Sequence, residues 1–341
     1  MVRRGERTKL TLRRKTPLGD EIVDYADVYC TDLFAEIAEE FIGHASDPAY
    51  NPEAKPWALL VWPNAPNVQT PPNRYIDAPL PSWKRPPSFL ERDMSDKPAE
   101  ILHSPKVRNS IEFHRATGAR QLRSLMAVDD LVERVFAKVA ETGMSESTWG
   151  IFTSDNGRFW GEHRLFGKLY GYEEGVAVPL RMRVPGMGDG ALRSFAGNID
   201  VAPTLLDIAG AEATADFDGR SLLPLLEGKT WNRAMLAENW TLARYDALRT
   251  KRWRYVLWPR TRSRELYDRT RDPWELRNIA SEREAVVQRL HRTLRNRKKA
   301  EVSLASANAG SFHFFLWGLP RPPNQRLARR ETAGLGSTVA A

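Results

Sequence analysis

Two oxygen-bearing side chains and one ammonium group follow a single short apolar segment, and their types suit a metal ion and an anion. The β-prone residues 149–152 lead directly into Asp155 and Asn156, and Lys168 follows thirteen positions after the aspartate. Carboxylate and amide oxygens are ligands for a hard cation, and the ammonium group could reach an anion held by that cation. Ligands of open α/β sheets bind beyond the ends of the strands. The spacing therefore predicts a metal and anion site at one edge of a sheet.

The composition indicates a folded protein of one large or two smaller domains. The chain has 341 residues, 42% of them hydrophobic, with 11 tryptophans and 13 phenylalanines. That content can fill a sizeable core and argues against intrinsic disorder. Cys30 is the single cysteine, so an internal disulfide is excluded and the redox compartment stays undetermined.

The formal net charge of +8 is concentrated near the two ends of the chain. Residues 1–15 hold seven basic side chains against one glutamate, and residues 289–299 hold six more. Solvated basic tails are one interpretation, and attraction to polyanions, either nucleic acid or sulfated polymers, is the other. We expect no specific nucleic-acid partner, because the charge is terminal and no predicted helix has a basic face that reads a groove.

The chain shows no signal for a membrane or for export. No stretch approaches the roughly 18 apolar residues that a membrane helix needs, so no membrane partner is expected. The basic start lacks the apolar core of a secretion signal. If Met1 is the true start, we expect the product to stay in the cytoplasm.

Apolar periodicity predicts alternating helices and short strands. Predicted helices cover residues 31–43, 121–142, 200–208 and 282–299, and predicted strands cover residues 58–62, 149–153, 178–184, 253–258 and 265–267. This alternation indicates an α/β sheet with helices on its faces. Residues 63–98 are rich in proline, and so long a loop is usually functional or disordered.

Composition shifts along the chain predict four regions. Residues 1–20 form a basic loop, and residues 21–230 form part of an α/β domain. Residues 231–310 form a smaller carboxy-terminal α+β subdomain with an antiparallel sheet and a helix. Residues 311–341 form a flexible tail.

Six segments occur in the order found in one known family. They are Thr153-Ser154-Asp155-Asn156-Gly157, Gly161-Glu162-His163 with Lys168, Tyr172-Glu173-Glu174 before Val178-Pro179-Leu180, segment 198–210 (NIDVAPTLLDIAG), segment 218–226 (DGRSLLPLL), and Glu265-Leu266-Tyr267-Asp268 with segment 272–276 (DPWEL). Over roughly residues 25–295 the chain resembles the sulfatases of the alkaline-phosphatase superfamily. The resemblance implies a doubly wound mixed sheet, here truncated at its amino-terminal side.

The resemblance also implies a mechanism for complete members. A cysteine or serine in a Cys/Ser-x-Pro-x-Arg motif becomes formylglycine, whose hydrated aldehyde attacks sulfur. A divalent cation, usually calcium, is held by two early aspartates and a late Asp-Asn pair. In this chain Asp155 and Asn156 match the late metal pair, and Lys168 matches a sulfate-binding lysine. His163 is a candidate substrate contact, with a structural hydrogen bond that shapes its loop as the alternative.

Several features of the family pattern are missing from this sequence. Cys30 does not lie in the formylglycine motif, and no other Cys or Ser has proline two places on and arginine four places on. The early aspartate pair has no counterpart. Asn67 stands where the family has the histidine of an Ala-Pro-His segment. A neutral amide cannot act as a general acid, although Asn67 could hydrogen-bond a sulfate oxygen.

The sequence therefore predicts the carboxy-terminal two-thirds of a hydrolase of sulfate esters, incomplete or inactive as this chain. The alternative is a remnant that binds sulfate or phosphate esters, or a sulfated glycan, without chemistry. A missing amino-terminal polypeptide is a further candidate partner, and an export signal could have been lost with it. Two other charged positions are expected to be structural: Asp130 in its helix and Lys97 as a loop or rim residue.

Overall fold

The computed structural model describes residues 10–16, 19–25, 28–67, 70–213, 215–241 and 243–307. The chain divides into two compact units, residues 1–296 and 297–341. Of the second unit the described part is 297–307, the end of the last helix. The predicted tail over 311–341 lies outside the described residues, as do the first nine residues of the predicted basic loop. The predicted region boundaries stay predictions.

Helices and strands alternate through the described part of the chain. The helices are α1 (Cys30–Ser46), α2 (Ala99–Leu102), α3 (Ile111–Glu141), α4 (Glu173–Val176), α5 (Val201–Ala209), α6 (Leu223–Leu226) and α7 (Glu284–Ala307), and two 3₁₀ turns cover Asn73–Tyr75 and Asn198–Asp200. The strands are β1 (Leu10–Thr16), β2 (Gly19–Tyr25), β3 (Gly150–Thr153), β4 (Phe159–Trp160), β5 (Phe166–Gly167), β6 (Leu180–Arg183), β7 (Met235–Asn239), β8 (Tyr245–Arg249), β9 (Trp253–Leu257) and β10 (Arg264–Asp268). The predicted mixture of α and β elements is confirmed.

The largest sheet in the described residues has four antiparallel strands in the order β10-β9-β8-β7. It contains the strands predicted over 253–258 and 265–267. Strand β3 pairs antiparallel with β6, and β4 pairs antiparallel with β5. Strands β1 and β2 pair antiparallel, and β1 lies within residues 1–20, where we expected a loop. The β3–β6 pair places the Asp155 turn at the end of β3.

Helices α1 and α3 pack against each other. The buried stripe of α1 includes Leu33, Ala38 and Ile42, as its periodicity predicts. Helix α3 begins ten residues earlier than predicted, because the Ser110 side chain accepts a hydrogen bond from the Phe113 amide at 3.1 Å and caps it. The first turns of α3 bury polar side chains and therefore lack the apolar period on which the prediction depended.

Asp130 has the structural role that its place in α3 predicts. Its carboxylate accepts from the Arg74 guanidinium at 2.6 Å and from the Tyr75 hydroxyl at 2.7 Å. Arg74 also binds Asp32 of α1 at 2.7 Å. The cap position of α1 is Tyr29, and no side chain caps it.

The strand predicted over residues 58–62 is wrong. These residues have no regular secondary structure, and the side chains of Leu60 and Trp62 are 58% and 80% exposed. No described strand pairs with this segment. A short apolar run does not by itself distinguish a buried strand from an extended surface segment.

Two apolar cores lie on opposite faces of the four-stranded sheet. The first joins Ala247, Val256 and Tyr267 of the sheet to Phe159 and Tyr172. The second core lies under α7 and comprises Leu248, Tyr255, Leu266, Val287, Leu290 and Leu294. Burial of both faces explains why apolar residues occupy successive positions in β8 (Ala247, Leu248) and β9 (Tyr255, Val256). Among the described residues, no helix is long and apolar enough to cross a bilayer.

Close backbone contact at Gly219 gives a test of the fold. A Cβ atom there would lie 1.7 Å from the Ile199 carbonyl oxygen. We expect Gly219→Ala to lower the free energy of unfolding by about 1–3 kcal/mol through overpacking. Gly190→Ala is the control, since nothing lies within 4 Å of its Cβ position. Equal urea midpoints for the two variants would contradict this packing.

Candidate functional site

The structure brings Asp155, Asn156 and Lys168 together as predicted from their spacing. The Lys168 Nζ donates to Asn156 Oδ1 at 2.9 Å and lies 3.9 Å from Asp155 Oδ2. The Asp155 side chain is 81% exposed and that of Lys168 is 38% exposed. One carboxylate, one amide oxygen and one ammonium group therefore share an accessible turn beyond the end of β3.

The Asp155 turn is held by its own side chain and by Asn198. The backbone N–H of Asn156 donates to Asp155 Oδ1 at 2.8 Å. The Asn198 Nδ2 donates to the carbonyl oxygens of Ser154 at 2.9 Å and Asp155 at 3.2 Å. We did not predict Asn198 as part of the site, although it lies in one of the six matching segments.

A buried carboxylate fixes the segment that carries Asn198. Asp200 is completely buried and accepts from the backbone amides of Gly197 at 2.8 Å and Arg220 at 2.9 Å. The Arg233 guanidinium forms an ion pair with the same carboxylate. A buried charge with this many donors is compensated. Asp200 therefore fixes the segment from which Asn198 contacts the Asp155 turn.

Gly157 allows the Asp155 turn to press against α4. Its amide donates to the Gly175 carbonyl oxygen at 3.1 Å. A Cβ atom at this position would lie 2.1 Å from the Glu174 carbonyl oxygen and 2.8 Å from that of Ala177. The backbone contact therefore requires glycine.

A strained hairpin positions Lys168. Strands β4 and β5 pair through Phe159↔Gly167 and Trp160↔Phe166. The connection includes His163 at φ 51° and Arg164 at φ 57°, and Leu169 follows Lys168 at φ 101°. Left-handed conformations cost about 1–3 kcal/mol each for such residues and persist only where their surroundings impose them. The Asn239 side chain, for example, donates to the Leu169 carbonyl oxygen at 2.7 Å.

His163 is enclosed by two carboxylates. It is completely buried, with Nδ1 2.6 Å from Glu91 Oε2 and Nε2 3.6 Å from Glu174 Oε2, and its ring stacks on Tyr172 at 4.2 Å. Burial alone would lower the pKa of His163, but the nearby carboxylates of Glu174 and Glu91 outweigh it and raise the pKa to about 9. His163 is thus a charged structural residue. Our alternative for it, a structural hydrogen bond, is what the structure shows, and substrate contact is not supported.

We predicted Lys97 as a loop or rim residue; it does lie in a loop, but it is buried rather than at the rim. Its Nζ is buried and donates to the carbonyl oxygens of Glu275 at 3.1 Å and Leu276 at 2.9 Å. The same atom lies 3.3 Å from the carboxylates of both Glu91 and Asp96. Glu91 and Asp96 are local, but the two carbonyl partners lie 178 and 179 positions away, so no local pattern reveals the burial of Lys97.

Asn67 is tied to the hairpin that carries Lys168. Its Oδ1 accepts from Arg158 Nη1 at 3.2 Å, and its carbonyl oxygen accepts from Gln121 Nε2 at 3.3 Å. Arg158 precedes β4 directly. We did not predict Arg158, and the only signal for it in the sequence is a basic residue two positions after Asn156.

Asp155 and Asn156 fit part of the shell of a hard divalent cation. Both offer oxygen ligands from an exposed turn, whereas calcium takes about six to eight such ligands. Over the parts of the chain that the structure describes, no group of three or more His, Cys, Asp or Glu side chains could hold a metal. The two oxygen donors are therefore of the type that a hard divalent cation binds, but two ligands are only a fraction of a complete coordination shell.

Comparison with known proteins identifies the class of protein that this fold and site define. The family model described as "Sulfatase" matches residues 8–211, and the model for the carboxy-terminal part of N-sulphoglucosamine sulphohydrolase matches residues 161–300. The fold is that of solved sulfatases, as the resemblance implies, and the amino-terminal truncation stays a prediction. The chain belongs to the sulfatase family, whose members generally use a divalent metal.

Two curated relatives and one solved structure illustrate the similarity. "Sulfatase ppz1" from Metarhizium majus is 32% identical over 254 residues, which are 70% of this chain and 58% of that protein. Human "N-acetylglucosamine-6-sulfatase" is 32% identical over 232 residues, or 63% of this chain and 40% of that protein. The putative sulfatase yidJ from Bacteroides fragilis superposes with a TM-score of 0.65 and 22% identity, covering 84% of this chain and 62% of that one. The chain thus spans about 40–58% of these two relatives.

The raised pKa of His163 predicts a pH-dependent stability. The folded pKa of about 9 exceeds the ordinary 6.5, so the stabilisation is complete below pH 6.5 and is lost as the pH rises through about 9. The loss amounts to at most about 3 kcal/mol. We expect urea unfolding of the unmodified chain to show this decline, and His163→Gln to remove it.

His103→Gln is the control, because His103 is an exposed histidine. Its variant should keep the decline of the unmodified chain. A free energy of unfolding that is flat between pH 6.5 and 9 in the unmodified chain would contradict a charged, buried His163.

Proposed function

We propose that this chain forms one side of the catalytic site of a sulfate-ester hydrolase. One observation carries the proposal: Lys168 Nζ lies 2.9 Å from Asn156 Oδ1 and 3.9 Å from Asp155 Oδ2 in a chain of the sulfatase family. In this proposal Lys168 binds a sulfate oxygen, and Asp155 and Asn156 are ligands of the divalent cation.

The proposed roles follow from the charge of the substrate. A sulfate monoester carries negative charge, and the charge on its oxygens must be neutralised as the ester bond breaks. The ammonium group of Lys168 supplies one fixed positive charge at an accessible turn. A bound divalent cation supplies Lewis-acid stabilisation of the same oxygens. An amide oxygen has two lone pairs, so Asn156 Oδ1 can accept from Lys168 and still serve as a ligand.

We propose calcium as the cation. Carboxylate and amide oxygens are its preferred ligand types, and about six to eight are needed. Asp155 and Asn156 would supply two of them. The remaining ligands would come from water, substrate and groups outside the part of the chain that the structure describes.

The proposed substrate class is a sulfated sugar. The relative named N-acetylglucosamine-6-sulfatase and the matching model named for N-sulphoglucosamine sulphohydrolase support this choice. Asn67 is proposed as a further hydrogen-bond donor to the substrate, and His163 is left out because both its ring nitrogens face buried carboxylates.

The chain alone is expected to release no sulfate from an aryl sulfate such as 4-nitrophenyl sulfate. The 341 residues contain no Cys/Ser-x-Pro-x-Arg motif and therefore no source of the formylglycine nucleophile. Product formation should equal that of a buffer blank. Steady sulfate release by the unmodified chain would overturn this part of the proposal if Lys168→Gln abolishes it. Sulfate release that is the same in the unmodified chain and in Lys168→Gln would come from a contaminating enzyme.

Binding should persist without turnover. We expect N-acetylglucosamine 6-sulfate to bind the chain in calorimetry at about 0.15 M salt, which screens the terminal basic residues. Lys168→Gln should weaken binding about tenfold or more, because it removes one charge-assisted hydrogen bond. The control is Lys229→Gln, which removes a lysine whose side chain is 68% exposed. Equal affinities of the two variants would contradict the proposed role of Lys168.

A further inference from the structure

Arg158 is a partly buried cation with no acidic partner in the described residues. Among the described residues its guanidinium donates to the neutral Asn67 amide oxygen, and none of the ion pairs found there includes Arg158. Its Nε is buried and has no hydrogen-bond partner among these residues, and burial lowers the pKa of its guanidinium. Its Cζ lies 5.1 Å from the centre of the Phe166 ring, which covers one face. An unpaired guanidinium in such surroundings would be stabilised by an anion.

The hairpin register places Arg158 beside Lys168. At the open end of the hairpin, the last paired residues of β4 and β5 are Phe159 and Gly167. Arg158 and Lys168 are the adjacent residues just outside the two strands. The carboxylate within 4.0 Å of Lys168 is that of Asp155, at 3.9 Å, and it is a proposed metal ligand. Anionic groups of a ligand at this place would find a cation on each of the two strands.

Arg158 also fixes the orientation of the Asn67 amide. Because Asn67 Oδ1 accepts from Arg158 Nη1 at 3.2 Å, the other end of the amide, Nδ2, is turned away from the guanidinium. Nδ2 can only donate. The remaining guanidinium N–H groups and this NH₂ group are all donors, which suits an oxyanion rather than a cation.

We propose that Arg158 and Asn67 form a second anion subsite next to Lys168, which selects sulfate esters carrying a second anionic group. This inference rests on the proposed function, in which Lys168 binds the sulfate of the scissile ester. The second group is a carboxylate or a further sulfate on the same sugar. Arg158 is therefore the residue that determines specificity, and Asn67 is held in place by it.

The test compares ligands that differ in one anionic group. N-acetylglucosamine 6-sulfate and N-sulfoglucosamine 6-sulfate share the ring and the 6-sulfate, and only the second carries another sulfo group. Glucose 2-sulfate and glucuronic acid 2-sulfate form the corresponding carboxylate pair. Calorimetry with the full chain at about 0.15 M salt should show that the dianion of at least one pair binds about tenfold tighter. The pair that shows the preference identifies the second group.

Two variants separate this subsite from Lys168. Arg158→Gln should abolish the preference for the dianion and change the affinity for the monoanion by less than about threefold. Lys168→Gln should weaken both ligands and keep their ratio. Arg158→Met, which keeps the apolar contact with Phe166, is the second variant if Arg158→Gln fails to fold. Arg260→Gln removes an exposed arginine elsewhere and should change nothing.

Each failure has a distinct meaning. If the unmodified chain shows no preference for either dianion, or if the preference survives in Arg158→Gln, the second subsite is overturned. If Arg158→Gln weakens the monoanion as much as the dianion, Arg158 binds the same sulfate as Lys168 and the inference is again wrong. If the monoanion does not bind through Lys168 at all, the proposed function itself fails.

Discussion

A set of buried charges holds the hairpin of Lys168 against the rest of the protein. His163 lies between Glu91 and Glu174, and Lys97 pairs with Glu91 while it donates to two carbonyl oxygens near Glu275. Taking such charges out of water costs several kcal/mol per ion unless every one is paired. Because the partners come from the proline-rich loop, the hairpin, α4 and the carboxy-terminal region, the set is complete only when all four are assembled.

Helix α4 has only four residues, yet it connects the buried charges with the proposed metal ligands. Glu174 faces His163, while Glu173 pairs with the completely buried Arg254 of β9. The backbone of the same helix lies against Gly157, directly after Asn156. The position of the Asp155 turn therefore depends on ion pairs made on the far side of α4. A site that must bind a charged ligand is in this way supported by fixed side chains rather than by loop contacts alone.

Local sequence was enough to place Asp155, Asn156 and Lys168 together, because a strand end and a short hairpin bring them together within fourteen residues. Helices with a regular apolar period, such as α1, were predicted for the same reason. The burial of Lys97 and His163 could not be predicted, since their partners lie up to 179 positions away and a lysine or histidine in a loop is normally solvated. The segment over 58–62 misled us because its apolar residues have no packing partner among the described residues.

Because both faces of the carboxy-terminal sheet are apolar and buried, the register of its strands is strongly constrained. Ala247 and Val256 enter one core while Leu248 and Tyr255 enter the other. Adding or deleting one residue within β8 or β9 would move the side chains of that strand from one core to the other, and within β9 it would turn Arg254 away from Glu173. Natural variation in chain length should therefore be confined to the connections between these strands.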